Sequence, residues 1–87
     1  MTYTLEKSNQ AERFLGRPEK RDFYRIEDGI GALAYNPRPC GSIKLSTTEA
    51  KYRIRIGRFR VVYTIDDAQQ VVRISRIEDR KNVYKNL

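Results

Sequence analysis

The sequence predicts an α+β fold: an N-terminal strand, a helical hairpin, and then a three- to four-stranded, largely antiparallel sheet that closes on a short C-terminal tail or helix. Three observations carry that expectation. Apolar residues recur at spacings of three and four through the first third of the chain, at Ala11, Phe14 and Leu15 and again at Phe23, Ile26, Ile30 and Leu33. After Pro39 the pattern changes to period two, which is the spacing of a strand with one buried face. Gly57-Arg58 lies between two such alternating runs, where a tight hairpin turn belongs.

Taken in order, Thr2–Leu5 alternates and is rich in β-formers, so it opens the fold as a strand. Asn9 followed by Glu12 reads as a capping box for a short first helix, which Gly16 and Pro18 end. A second helix starts near Pro18, since proline suits the first helical turn. Gly29 and Gly31 weaken it by up to about 1 kcal/mol each relative to alanine, yet the apolar stripe runs through both. Asn36-Pro37-Arg38-Pro39 is a stop and a rigid turn. Ser42–Leu45, Tyr52–Ile56, Phe59–Ile65 and Val71–Ser75 follow as strands, with a loop over Ser46–Ala50 and a turn over Asp66–Ala68. Glu78–Leu87 is charged and reads as a short helix or ordered tail.

Length and composition narrow the function classes. At 87 residues the chain is expected to form one domain over 1–87. It has one cysteine, Cys40, and no histidine, so neither a disulfide framework nor a zinc site is expected, and a reducing, cytoplasmic setting fits. No apolar run approaches the roughly 20 residues of a membrane span, and Met1–Glu6 lacks a signal-peptide pattern. Charge is the first positive clue. Residues 1–50 hold 8 Lys/Arg against 7 Asp/Glu, whereas residues 51–87 hold 10 against 4, so +6 of the net +7 lies in the second part. A basic region of this kind suits RNA, DNA, an acidic peptide or an anionic membrane; a solvated basic face serving solubility accounts for the charge equally well.

Alternation says where those charges point. Tyr52, Ile54 and Ile56 share one side of their strand and Arg53 and Arg55 the other. In the partner strand Phe59, Val61, Tyr63 and Ile65 oppose Arg60, Val62 and Thr64, and in the next Val72 and Ile74 oppose Arg73 and Ser75. Arg53, Arg55, Arg60 and Arg73 thus fall on the sheet face away from the helices. Like charges on neighbouring strands repel, so stability alone does not favour the pattern, and guanidinium forks match phosphate. Tyr84 offers a ring on which an RNA base can stack, or it simply pins the tail.

The run from Tyr52 to Tyr63, YRIRIGRFRVVY, resembles the central hairpin of RelE/ParE-type toxins, and Arg80-Lys81-Asn82-Val83-Tyr84 is similar to the tail motif of the same superfamily. Asn36-Pro37-Arg38-Pro39 after a helical hairpin also fits, so the resemblance spans nearly the whole chain. It implies a toxin held inactive by an acidic, RelB-like antitoxin. RelE-type members cleave messenger RNA in the ribosomal A site through attack of the ribose 2′-OH on the neighbouring phosphate, without metal or other cofactor. By position, Arg53 and Arg55 match the paired basic residues of the first hairpin strand and Arg60 the arginine at the scissile phosphate. Arg80 and Tyr84 match the tail residues that stabilise the transition state and stack on the base. Lys44, Arg73, Arg76 and Lys81 complete the candidate substrate-binding cations.

Two departures mark this chain. Arginines stand where studied RelE toxins have lysines, and arginine, with a pKa above about 12, is a poor base. The histidine that many relatives carry at or near Asp79 is absent. Glu49, Glu78, Asp79 and Tyr84 are the remaining candidates for proton transfer, and all three carboxylates also suit a solvated surface. Three alternatives follow: a ParE-like inhibitor of DNA gyrase, an RNA-binding module without catalysis, and a decayed toxin that keeps only its antitoxin.

Overall fold

The computed structural model describes residues 2–46, 48 and 50–80. The chain runs β1 (Thr4–Lys7), α1 (Asn9–Leu15), α2 (Lys20–Ala32), β2 (Ile43–Ser46), β3 (Lys51–Ile56), β4 (Phe59–Asp66) and β5 (Val71–Asp79). The strands form one sheet in the order β1-β5-β4-β3-β2. The sheet therefore has five strands: the four expected after the proline turn, with β1 added at the edge beside β5. Every pairing is antiparallel except β1 with β5, which is parallel.

Both helices cover one face. Ile26, Ile30 and Leu33, with Ala11 and Leu15 of α1, are buried against Tyr52, Ile54, Phe59, Val61, Tyr63, Ile65, Val72, Ile74 and Ile77. These strand residues are the apolar half of each alternating run, and their burial is the main force that fixes the register. Phe14 meets Phe59 edge-on at 5.9 Å, and Tyr52 stacks on Tyr63 at 5.9 Å. The Tyr63 hydroxyl, fully buried, donates to the Pro37 carbonyl at 2.7 Å and so ties the proline turn to the sheet.

Several local expectations change. The first strand lies two residues later than predicted, at Thr4–Lys7. The cap of α1 is Ser8 rather than Asn9: its Oγ accepts from the Ala11 amide at 3.2 Å and donates to the Ser75 carbonyl at 2.7 Å. Asn9 is the first helical residue, so Glu12 sits one position too far along for a capping box. The second helix starts at Lys20, with Glu19 as cap and Pro18 outside. Val71–Asp79 is a nine-residue strand, so Glu78 and Asp79 belong to the sheet and not to a tail. The remainder of that predicted segment, 81–87, lies outside the described residues.

One irregularity shapes the site. β5 bulges at Ser75: Val62 pairs with Arg76 while the next residue, Tyr63, pairs with Ile74. The extra residue flips the alternation of β5, so Ile74 and Ile77 both point into the core. Ser75 Oγ donates to the Val62 carbonyl at 3.0 Å, holding the bulge against β4.

Candidate functional site

Register assigns each charged side chain to a face. Directly paired residues share one, and the pairs on the face away from the helices fall into three rows. Arg55, Arg60 and Glu78 form the row beside the hairpin turn. Ile43, Arg53, Val62 and Arg76 form the middle row. Ser46, Lys51, Thr64, Arg73 and Glu6 form the third. The bulge at Ser75 is what puts Arg76 and Glu78 here; unbroken alternation from Arg73 would send both to the core side.

Arg60 is the hub. It sits directly opposite Arg55 on β3 and Glu78 on β5, and diagonally from Arg53 and Arg76. Diagonal neighbours in an antiparallel sheet are about 7–8 Å apart, within reach of long side chains, so these guanidiniums can converge on one bound anion. Val62, at the centre, is 9% exposed, and neither of the described helices lies on this face. Arg53 and Arg60 are half-buried and Arg55 is exposed. None of the three has an ion-pair partner among the described residues. Arg73 and Arg76 differ: Arg73 Nε lies 2.9 Å from Glu6, and Arg76 Nε lies 3.9 Å from Glu78.

Two predicted residues fall on the other face. Lys44 pairs with Tyr52 and so lies on the helix side of the edge strand. Asp79 pairs with Phe59, also on the helix side, where it receives Arg58 at 3.4 Å. Arg58 reaches Asp22 of α2 at 3.6 Å as well, so Asp79 is part of a clasp between hairpin turn and helix. Arg80 follows directly on β5, is exposed, and donates its amide to the Arg58 carbonyl at 2.9 Å. Glu49, Lys81 and Tyr84 lie outside the described residues. The sequence reading missed Glu6, because nothing local foretells the parallel pairing that places it against Arg73.

A second polar cluster stands on the helix side, near the proline turn. Arg38 donates to both Asp67 oxygens, at 2.8 and 3.4 Å, and to the Tyr52 hydroxyl at 3.1 Å, while Tyr3 donates to Asp67 at 2.7 Å. Hydrogen bonds from Arg38 and then Tyr3 hold the Asp67 carboxyl below its ordinary pKa. The same bond to Asp67 raises Tyr3, and bonds to Asp67 and Tyr52 raise Arg38. Burial pushes Tyr63 up to about 12. All of these groups brace the fold, and the arginine face lies on the other side of the sheet.

A sheet with two helices on one face and an arginine-rich other face can belong to many small basic domains. A family model for the ParE toxins of type II toxin–antitoxin systems (parDE) matches residues 2–84. The chain belongs to the RelE/ParE superfamily of toxins. It is similar to toxin RelE of Mycobacterium tuberculosis, with 35% identity over 68 residues, covering 78% of this chain and 70% of the relative. It is also 32% identical over 65 residues to a protein named as a RelE toxin in Methanocaldococcus jannaschii, covering 71% and 72% of the two chains. Among solved structures, the RelE–RelB complex of Pyrococcus horikoshii superposes with a TM-score of 0.80 at 25% identity, over 92% of this chain and 97% of that one. A RelBE complex of M. tuberculosis gives 0.78 at 26%, over 92% and 100%. The predicted superfamily and the α+β fold both stand.

Proposed function

We propose that this toxin is a RelE-type endoribonuclease that cleaves messenger RNA, on the ribosome, by attack of a ribose 2′-OH on the adjoining phosphate. The observation that carries the reading is the set Arg53, Arg55 and Arg60: three guanidiniums on the sheet face away from the described helices, none of them in an ion pair among the described residues. Cleavage passes through a pentacoordinate phosphorane that gathers charge on its non-bridging oxygens. Fixed cations aimed at those oxygens lower the barrier, and loss of one such donor typically costs on the order of 10²–10³ in rate. Arg60 at the hub is assigned to the phosphate, Arg53 and Arg55 to its flanks, Arg80 to charge on the leaving group, and Tyr84 to base stacking. Arg73, Arg76 and Lys81 guide the neighbouring backbone. The cations already supply the charge, so the reaction needs no metal.

The solved relatives from P. horikoshii and M. tuberculosis are complexes of RelE with RelB. A cognate acidic antitoxin, folding as it binds along the arginine face, neutralises the same charges and excludes RNA. The toxin then acts in the cytoplasm once the antitoxin is lost.

Induction of the wild type and of an Arg60→Ala, Tyr84→Phe double variant, with mapping of messenger-RNA 5′ ends during growth arrest, tests this reading. New ends within translated codons are expected for the wild type only. A second reading has its own support, since the matching family model is that of ParE toxins: a gyrase-directed toxin would arrest growth without new ends and with an early DNA-damage response.

A further inference from the structure

We infer that Glu78 is the general base of this toxin, taking the proton from the attacking 2′-OH; this rests on the ribonuclease reading. Three features of the sheet support it. The pairing puts Glu78 directly across from Arg60 in the row that ends with Arg55, so an RNA phosphate held by Arg60 lies beside the carboxylate. Its side chain is 26% exposed, which leaves it open to a ligand, and Arg76 at 3.9 Å on the same strand steadies it. The other carboxylates of the described strands stand elsewhere. Asp79 is turned to the helix side and clasped by Arg58. Glu6 and Asp66 face the same way as Glu78 but lie toward the far end, paired with Arg73 and Val71.

The chemistry requires such a group. Arginine cannot accept a proton at neutral pH, and the chain has no histidine. In the step, the 2′-hydroxyl proton passes to Glu78, and the 2′-oxygen lone pair forms the new O–P bond. The P–O5′ bond breaks with its electron pair going to the 5′-oxygen, which takes a proton from water. The products are a 2′,3′-cyclic phosphate and a 5′-hydroxyl end. The charged groups that face Glu78 from packed elements are Arg60 of β4, Arg55 beyond it on β3, and Arg76 of β5.

The test is single-turnover cleavage of a labelled messenger on programmed ribosomes from pH 4.5 to 9, for the wild type, Glu78→Gln and Glu78→Asp. Binding is read in parallel with the same messenger carrying a 2′-deoxyribose at the scissile position. Glu78→Gln is expected to lose about 10²–10⁴-fold in rate, to lose the acid limb of the pH profile, and to bind the deoxy messenger at least as tightly as the wild type. Glu78→Asp is expected to keep the acid limb with a smaller loss. A Glu78→Gln rate within about threefold of wild type, or a slower rate on an unchanged pH profile, overturns the assignment and leaves the ribonuclease reading standing. A wild type that cleaves nothing on ribosomes carrying any codon overturns both.

Discussion

Gly29 and Gly31 lie two residues apart in α2, and alanine at each is expected to move stability in opposite directions. The helix gains up to about 1 kcal/mol from either substitution, because alanine has less backbone entropy to lose. At Gly31 nothing lies within 4 Å of the added Cβ, so the gain should be realised in full. At Gly29 the new Cβ would come within 2.9 Å of Ile56 Cγ1 on β3 and nearer still to its Cδ1. Here α2 crosses the sheet closely, and Ile56, β-branched and packed against the core, has few rotamers to yield into. Overpacking of this kind costs roughly 1–3 kcal/mol, which cancels or exceeds the helical gain and leaves a net loss of up to about 2 kcal/mol. Urea titration with an unchanged m-value reads both effects, and thermal melts should show Gly31→Ala up by about 4–8 °C. A double-mutant cycle isolates the contact: Ile56→Val removes the Cδ1 atom, so it should cost less in the Gly29→Ala background than alone. If Gly29→Ala stabilised as much as Gly31→Ala, the close helix–sheet contact would not exist as described.

Three further outcomes follow from the same structure. Arg55→Gln removes one of two directly opposed guanidiniums, so it should stabilise the fold by about 0.2–1 kcal/mol at low salt. The gain should vanish near 1 M salt, where the Debye length is about 3 Å, while the salt dependence of RNA binding weakens by about 0.7 in log–log slope. Tyr63 titrates near 10 when unfolded and about 12 when folded. The folded state therefore keeps its proton longer, and stability should fall by about 3 kcal/mol as pH rises from 10 to 12. Tyr63→Phe should remove that alkaline component while leaving the buried Pro37 carbonyl without its donor, a cost of about 1–3 kcal/mol at neutral pH. For Asp67 the sign is reversed. Its folded pKa lies below the ordinary value, so its contribution is complete above about pH 4 and is lost as pH falls through the folded pKa; Asp67→Asn should flatten that acid limb in chemical unfolding.

The strands of the hairpin were legible because burial on one face enforces alternation, and Gly57, at φ 59°, supplies the turn that glycine accommodates without strain. The arginine face followed from the same alternation. Where reading failed, a tertiary choice decided between local options. Ser8 and Asn9 are both good caps, and Ser8 prevails because its hydroxyl also reaches the Ser75 carbonyl of β5. Strict period two in β5 would turn Arg76 and Glu78 inward; the three-residue step from Ile74 to Ile77 is the trace that the bulge leaves in the sequence. Asp79, beside the tail motif, reads as a proton-transfer candidate in sequence, yet the hairpin turn and α2 claim it for a clasp. Lys44 reads as one more cation on a basic strand, but its pairing with Tyr52 sends it to the other side.

Stability and chemistry meet most sharply at the row Arg55, Arg60 and Glu78. A fold selected only for stability would relieve the opposed arginines, and the simplest relief is a second carboxylate across from Arg55 or Arg60. Among the described residues this row instead has one carboxylate, on one side of the hub, and the other side is cationic. Full neutralisation would leave no charge for a phosphate, and none at all would leave no proton acceptor beside it. One acceptor among several donors is the composition that phosphodiester cleavage requires, because the attacking oxygen must lose a proton while the phosphorus oxygens gain charge. A surface that only grips a protein partner has no comparable need for an ionised carboxylate at its cationic centre. Removing the charge of Glu78 should strengthen anion binding in either case, and in a ribonuclease that uses Glu78 as its base it should also slow turnover by about 10²–10⁴-fold.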